Sequence, residues 1–363
     1  MTSESYFLQL LKYSLSENSV FPYFLSNTEW KEIYELSKKQ TLTGILLEGI
    51  KRLPKEQCPP KPILLQWFTN VENIKRKNIE LNELAANVVK RFKKDGFKAV
   101  ILKGQGNALY YPDPFLRTPG DIDIWLDKNR KEIIEYIRKY CPNEEIVYHH
   151  AEFPVMKKCN IEVHFTPSWM NNFFSNRKLQ NIFQGIKKEQ FSHEVSLPDH
   201  VGNICVPTIS FNRMYVLLHI YRHLFDEGIG LRQLVDYYYI LKQECSEDEK
   251  RNSYHWICTL GMKRFCSAIM YIMHEILGLD KEYLICTPAK EEGKFLLEEI
   301  MRAGNFGKYD ERISRIRNES YLHKYLRKIK RNLRFIESYP NEVIWNPIFR
   351  LWHFCWRQKN GYI

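Results

Sequence analysis

Two aspartates one residue apart, Asp121 and Asp123, sit in the β-like run Asp121-Ile122-Asp123-Ile124-Trp125-Leu126. Successive side chains of a strand point to opposite faces, so the two acids share one face while Ile122 and Ile124 pack on the other. Like charges held side by side repel unless something offsets them. A divalent cation does so, and Mg²⁺ takes one or two carboxylates together with substrate phosphate oxygens. A third acid fits the scheme. Ile161-Glu162-Val163-His164-Phe165 alternates, so Ile161, Val163 and Phe165 face a core and Glu162 and His164 point away from it. With this strand beside the first, Asp121, Asp123 and Glu162 form a cluster able to hold two Mg²⁺ (or Mn²⁺) ions about 4 Å apart. One ion would activate an attacking oxygen and the other would hold nucleotide phosphates. Upstream, Lys103-Gly104-Gln105-Gly106 follows the apolar run Ala99-Val100-Ile101-Leu102. Glycine there lets backbone amides approach a phosphate closely, and Lys103 or Arg117 is available to neutralise a triphosphate.

Several of these residues carry a plainer reading beside the chemical one. Lys103 contacts the triphosphate or pairs with a carboxylate. Arg117 steers phosphate or buttresses Asp121 through a bidentate ion pair. His164 contacts phosphate, hydrogen-bonds a carboxylate, or is simply structural. His219 and His223 are four apart and share a helix face. That spacing can bind a metal, but no glutamate or cysteine completes a zinc signature, so they line the cleft or pack. Arg232 and Asp236, also four apart, are expected to pair with each other or with one of these histidines.

The elements that must position these residues follow from pattern. Residues 5–15 are amphipathic, and Ser26 followed by Glu29 is a capping box opening a helix through Trp30, Ile33 and Leu36. After Pro59, Pro60 and Pro62 a long helix is expected over 63–94, with Leu81, Leu84, Ala85, Val88, Val89 and Phe92 on one stripe, ended by Asp95-Gly96. The pattern then turns to mixed α/β. A strand is expected over 99–102, then a short helix through Ala108-Leu109-Tyr110, the aspartate strand, and a helix over 128–140 capped by Asp127. Strands at 146–150 and 153–157 lead into the Glu162 strand. Residues 171–200 read as an insertion near the substrate. Helices are expected from Phe211 onward with Asn212 as a cap, over 231–245, 250–277, 289–303 and 322–338, and in the Trp-rich tail.

A chain of 363 residues implies two or three domains. We place a helical region at 1–95, a small αβ domain at 96–210 and a helical domain with a basic end at 211–363. At 44% hydrophobic and 27% charged, the composition is that of an ordinary soluble protein. It has no apolar run of about 18 residues, so a transmembrane helix is not expected. The N-terminus does not read as a signal peptide. Nine cysteines without a C-x-x-C spacing point to a reducing cytoplasm rather than a disulfide frame. The net charge is +11, and residues 307–363 hold 13 Lys/Arg against 5 Asp/Glu. The basic run at 324–331 can bind RNA, an acidic acceptor or a membrane surface, or be a solvated helix face. Trp345, Trp352 and Trp356 read as core or dimer contact.

A strand, a glycine turn, an Asp-x-Asp strand and a later third acid resemble the nucleotidyltransferase superfamily related to DNA polymerase β. The fuller string is Leu102-Lys103-Gly104, Tyr111-Pro112-Asp113-Pro114, then Arg117-Thr118-Pro119-Gly120-Asp121-Ile122-Asp123. It is similar to the bacterial uncharacterised nucleotidyltransferase family, from about Phe97 to Phe165. A weaker echo runs through His219, His223, Leu231-Arg232 and Asp236. The run 117–123 also resembles the abortive-infection nucleotidyltransferase toxins. The resemblance implies an α+β fold, a polymerase β-like palm between helical regions. It also implies Mg²⁺ dependence and transfer of a nucleoside monophosphate from a nucleoside triphosphate, ATP among the candidates, with release of pyrophosphate. On it, Asp121, Asp123 and Glu162 are catalytic and hold metal, while Lys103, Gly104, Gln105, Arg117 and His164 bind nucleotide. The superfamily's turn is Gly-Ser or Gly-Gly; here it is Gly104-Gln105, which removes a hydroxyl from the phosphate grip. That departure alone favours a second reading, a palm that binds nucleotide or a partner without turnover. The acceptor, whether small molecule, protein or RNA, is left open.

Overall fold

The computed structural model describes residues 2–16, 18–155, 159–312 and 320–362. Its centre is a mixed sheet of β1 (Ala99–Ile101), β2 (Ile122–Leu126), β3 (His150–Glu152), β4 (Ile161–His164), β5 (Glu194–Ser196) and β6 (Asn203–Cys205), in the order β3-β4-β2-β1-β6-β5. β2 runs antiparallel to β1 and parallel to β4, with Asp123 opposite Glu162 and Trp125 opposite His164. The period of two divides the faces. Ile122, Ile124 and Leu126 join Ile161 and Val163 in one apolar core, which is closed by Leu81, Leu84, Val88 and Phe92 and by Ile133, Ile134 and Ile137. Val100, Leu102 and Trp125 face the other way, into a second and larger core. The acids lie on that second face.

The helices are α1 (Ser3–Leu15), α2 (Asn27–Lys39), α3 (Thr43–Arg52), α4 (Lys61–Lys94), α5 (Gln105–Ala108), α6 (Arg130–Tyr140), α7 (Phe173–Gln190), α8 (Ile209–Asp226), α9 (Leu231–Leu241), α10 (Glu247–Thr259), α11 (Lys263–Tyr271), α12 (Lys290–Ala303), α13 (Tyr321–Leu333) and α14 (Pro340–Lys359). This is the α+β class expected. Ser26 and Glu29 form the capping box of α2. The 34-residue α4 is long enough, at about 1.5 Å per residue, to serve both cores. Trp67 and Val71 pack in the larger one, with Phe7, Trp30, Leu217, Tyr237 and Phe265. Leu81 to Phe92 pack under the sheet. Leading and trailing helices therefore share one core.

Several expected boundaries moved, each for a local reason. Asn129, not Asp127, caps α6, with Glu132 completing the box, because Asp127 instead accepts from the Lys98 backbone N–H at 2.8 Å. Thr208 rather than Asn212 caps α8. The single helix expected over 250–277 is two, broken where Gly261 takes φ +78°. The helix expected over 231–245 ends at Leu241. Of the strands expected at 146–150 and 153–157, only His150–Glu152 forms, with Ile146 making a single bridge to Ala151; residues 156 and 157 lie outside the described residues. Residues 171–200 are α7 and β5, the latter pairing with β6 to extend the sheet. Among the described residues no helix is long and apolar enough to cross a membrane.

Candidate active site

β2 carries Asp123 with only 6% of its surface exposed, while Asp121 stands exposed just before the strand. Because β4 is parallel and in register, Glu162 is the lateral neighbour of Asp123. Asp121, Asp123 and Glu162 line one cleft, together with Lys103, Gly104, Arg117, His219, His223, Arg232 and Phe306.

Lys103 lies 3.0 Å from Asp123 Oδ1, and its Nζ is 3.4 Å from His219 Nδ1. His164 Nε2 is 3.0 Å from the same Asp123 oxygen and 3.6 Å from Glu162 Oε2. Of the readings left open for His164, the geometry shows the carboxylate contact. Burial alone would raise the Asp123 carboxyl, but Lys103 and His164 outweigh it and hold the group below its ordinary range. Asp121 is raised, by partial burial and then by repulsion from Asp123 and Glu162. Burial works against protonation of His164, and its bonds to Asp123 and Glu162 override that and raise it. Asp123, Glu162 and His164 thus bring donor atoms within 4.8 Å of one another, with Asp121 further out on the same cleft, and one lysine and one histidine partly offset the acids' repulsion.

Gly104 has φ +59°, and a Cβ there would come within 3.4 Å of the Asp121 carbonyl oxygen. The left-handed backbone is what lets the turn close over the aspartate strand. Gln105 does not present its side chain to the cleft. Its amide donates to Asn82 on α4, and the residue is buried. The missing hydroxyl of this turn is therefore replaced by a scaffold contact.

Arg117 lines the same cleft, as expected, but takes a different acid from the one expected. It does not reach Asp121: Nε and NH2 form a bidentate pair with Asp236 at 2.7 and 2.8 Å, and Tyr111 donates to the same carboxylate at 2.5 Å. The expected pairing of Arg232 with Asp236 gives way to this one. Asn78 on α4 holds the preceding segment, donating 2.8 Å bonds to the Phe115 and Arg117 carbonyls. Arg232 NH1 donates instead to the Thr118 carbonyl at 2.8 Å, which brings its guanidinium to the cleft wall. His219 and His223 line the cleft from α8, their ring centroids 4.2 Å apart.

Phe306 is a cleft residue that sequence reasoning missed. The segment 304–307 docks on the turn before α9, so closely that a Cβ on Gly307 would stand 2.0 Å from the Glu227 carbonyl oxygen. Gln233 donates to Asn305 at 3.2 Å. Phe306 itself takes φ +53°, unusual for a bulky residue. Its ring sits 5.3 Å from His223, with the Arg232 guanidinium 5.9 Å from its centroid. The flanking Gly304 and Gly307 were the available signal. His149 and His150, beside Glu162 on β3 and the turn before it, were missed as well.

No curated protein matches the chain. A crystal structure of an antigenic nucleotidyltransferase-like protein from Paracoccidioides brasiliensis aligns at 10% identity and a TM-score of 0.33, covering 58% of this chain and 95% of that one. Residues 26–278 match the family described as uncharacterised nucleotidyltransferase, a span that takes in both strands of acids, the Lys103 turn and Arg232, and the chain belongs to that family.

Proposed function

We propose that this nucleotidyltransferase uses Mg²⁺ or Mn²⁺, takes a nucleoside triphosphate as donor, and moves its nucleoside monophosphate to an acceptor hydroxyl with release of pyrophosphate. The observation that carries the proposal is the strand register that sets Asp123 beside Glu162 with Asp121 at the cleft mouth. The donor set fits a hard divalent cation: three carboxylates, one of which already attracts a lysine ammonium to 3.0 Å. Asp121, Asp123 and Glu162 would hold the metal, which when bound neutralises triphosphate charge and polarises the reacting phosphate.

The chain's own groups supply the rest. Lys103 and Arg232 stand on the cleft wall, and they neutralise the leaving pyrophosphate. Arg117, also on the cleft wall, bonds Asp236 through Nε and NH2 and holds the segment before Asp121 in place. Glu162, beside Asp123 on the neighbouring strand, also receives the acceptor's proton. Phe306 offers a face on which a nucleobase stacks. Rate enhancement comes from positioning and charge neutralisation.

RNA is the weaker acceptor reading, because the basic helix spends part of its charge internally. Arg331 donates to the Leu224 carbonyl at 2.6 Å, and Arg334 pairs with Glu299 and Asp310. We favour a small molecule or protein hydroxyl, acted on in the cytoplasm. The test incubates the protein with each α-labelled ribonucleoside triphosphate, Mg²⁺ and fractionated cell extract. Label should enter one fraction in step with pyrophosphate release, and Asp123→Asn should abolish it. Label that transfers equally in Asp123→Asn, or pyrophosphate that never appears, contradicts the proposal.

A further inference from the structure

Beside the carboxylates lies a second group of donors. His149, His150 and His164 each place a ring nitrogen within 4.8 Å of the others. The rings converge from two strands and a turn, with centroids 4.2, 5.2 and 5.3 Å apart. His150 Nδ1 is 2.8 Å from His149 Nε2 and 3.3 Å from Glu162 Oε2. We propose that His149, His150 and His164, together with Glu162, form a separate binding site for a first-row transition-metal ion, with Glu162 shared between it and the Asp121–Asp123 site.

Three features point to a cation. First, the nitrogens crowd one another with little to satisfy them. His149 Nδ1 and His164 Nδ1 are buried with no hydrogen-bond partner among the described residues. A buried polar atom left unpaired costs about 1–3 kcal/mol, and a fold that gathers two such rings beside a third, His150, needs a reason for it. Second, the donor spacing is right. Metal–imidazole bonds of about 2.0–2.1 Å in a tetrahedral site put donor atoms roughly 3.4 Å apart, so the ion enters with small shifts of the rings. Third, the surroundings fix the ligands. The Trp169 ring lies 3.8 Å from that of His149, and the Arg222 guanidinium covers Trp169 at 4.1 Å. His164 is also tied to Asp123. The same Nε2 that meets Asp123 faces Glu162 at 3.6 Å, so this ring stands between the two groups of donors.

Donor chemistry separates the two sites. Oxygen ligands suit Mg²⁺, whereas imidazole suits Zn²⁺, Co²⁺ and their neighbours. The shared Glu162 then couples occupancy of the histidine site to the charge and position of the carboxylate that faces the acceptor. The site does not depend on which nucleotide or acceptor the enzyme uses.

The test uses full-length protein stripped of metal with a chelator and titrated with Co²⁺ alone. One equivalent should bind with visible absorption bands and be displaced by Zn²⁺. X-ray absorption of the Zn²⁺ form should show imidazole scattering. His150→Gln and His149→Gln should each weaken binding by more than the roughly 10–100-fold that loss of an orienting partner costs, with the metal-free circular dichroism unchanged, while Asp121→Asn should leave Co²⁺ binding in place. An absorption spectrum with only oxygen ligands overturns the proposal, whether or not the variants fold. So does Co²⁺ binding that survives both histidine variants and is lost in Asp121→Asn, because the ion then sits on the aspartates alone. Loss of triphosphate binding with the histidine site intact would tell against the donor-site reading, not against this one.

Discussion

At the scale of single residues, Asp123 is the most constrained group in the cleft. It is buried, it meets Lys103 and His164 on one oxygen, and it lies beside Glu162. Removing its charge while keeping its shape, as Asp123→Asn does, should lower kcat by about 10²–10³-fold or more, the usual cost of losing one electrostatic element of an active site. Thermal stability should fall as well, because Asn cannot keep the ion pair with Lys103; unchanged activity alongside that fall would recast the residue as a structural anchor. Phe306 makes a different prediction. If a base stacks on its ring, Phe306→Ala should weaken nucleotide binding by about 1–3 kcal/mol, seen as a raised KM with kcat little changed. A fall in kcat alone would place the ring against the acceptor instead.

At the scale of elements, the site depends on a salt bridge outside its chemistry. Arg117 and Asp236 are both buried, with Tyr111 as third partner, and they tie the segment before β2 to α9. Breaking a buried pair by removing one member typically costs about 3–5 kcal/mol, so Arg117→Ala should lose that much stability in denaturant unfolding. A loss below about 1 kcal/mol, small even for a typical hydrogen bond, would show that the pair is not holding the loop. Period and cap chemistry made much at this scale legible. The alternation around Asp123 and around Glu162 announced two half-buried strands, and Ser26 with Glu29 announced α2. The failures were places where long-range contacts decided between equal local signals. Asp127 and Asn129 are both good caps, and the Lys98 N–H took Asp127. Arg117 had Asp121 as its expected acid, and the one that won, Asp236, lies on α9. Nothing periodic marks Phe306, because its place is set by residues 304–307 docking on a turn some 80 positions earlier.

At the scale of the whole molecule, a buried ionic cluster joins the last helix to the cleft wall. Glu342 on α14 lies 3.0 Å from Arg222 on α8, and Arg222 also pairs with Asp226, which Arg350 meets in turn. Burial pushes Glu342 up from its ordinary 4.5 to about 7. The folded protein therefore keeps a proton that the unfolded chain gives up between pH 4.5 and pH 7. Stability from this group falls as pH rises through that window. Measured against Glu342→Gln, wild type should lose about 3 kcal/mol of unfolding free energy from pH 4.5 to 7. A constant difference between the two proteins across the window would contradict that. The same cluster explains why the basic end was hard to read from charge counting. Its arginines are divided between solvent and internal partners, and composition cannot tell one from the other.

The central claim is that the carboxylate cleft binds a triphosphate through a divalent ion, and the most direct measurement is calorimetric titration of the protein with each ribonucleoside triphosphate, with and without Mg²⁺. The account predicts binding that requires Mg²⁺, favours one base, and disappears in the Asp121→Asn/Asp123→Asn double variant. Metal-independent binding, or binding that survives the double variant, would contradict it.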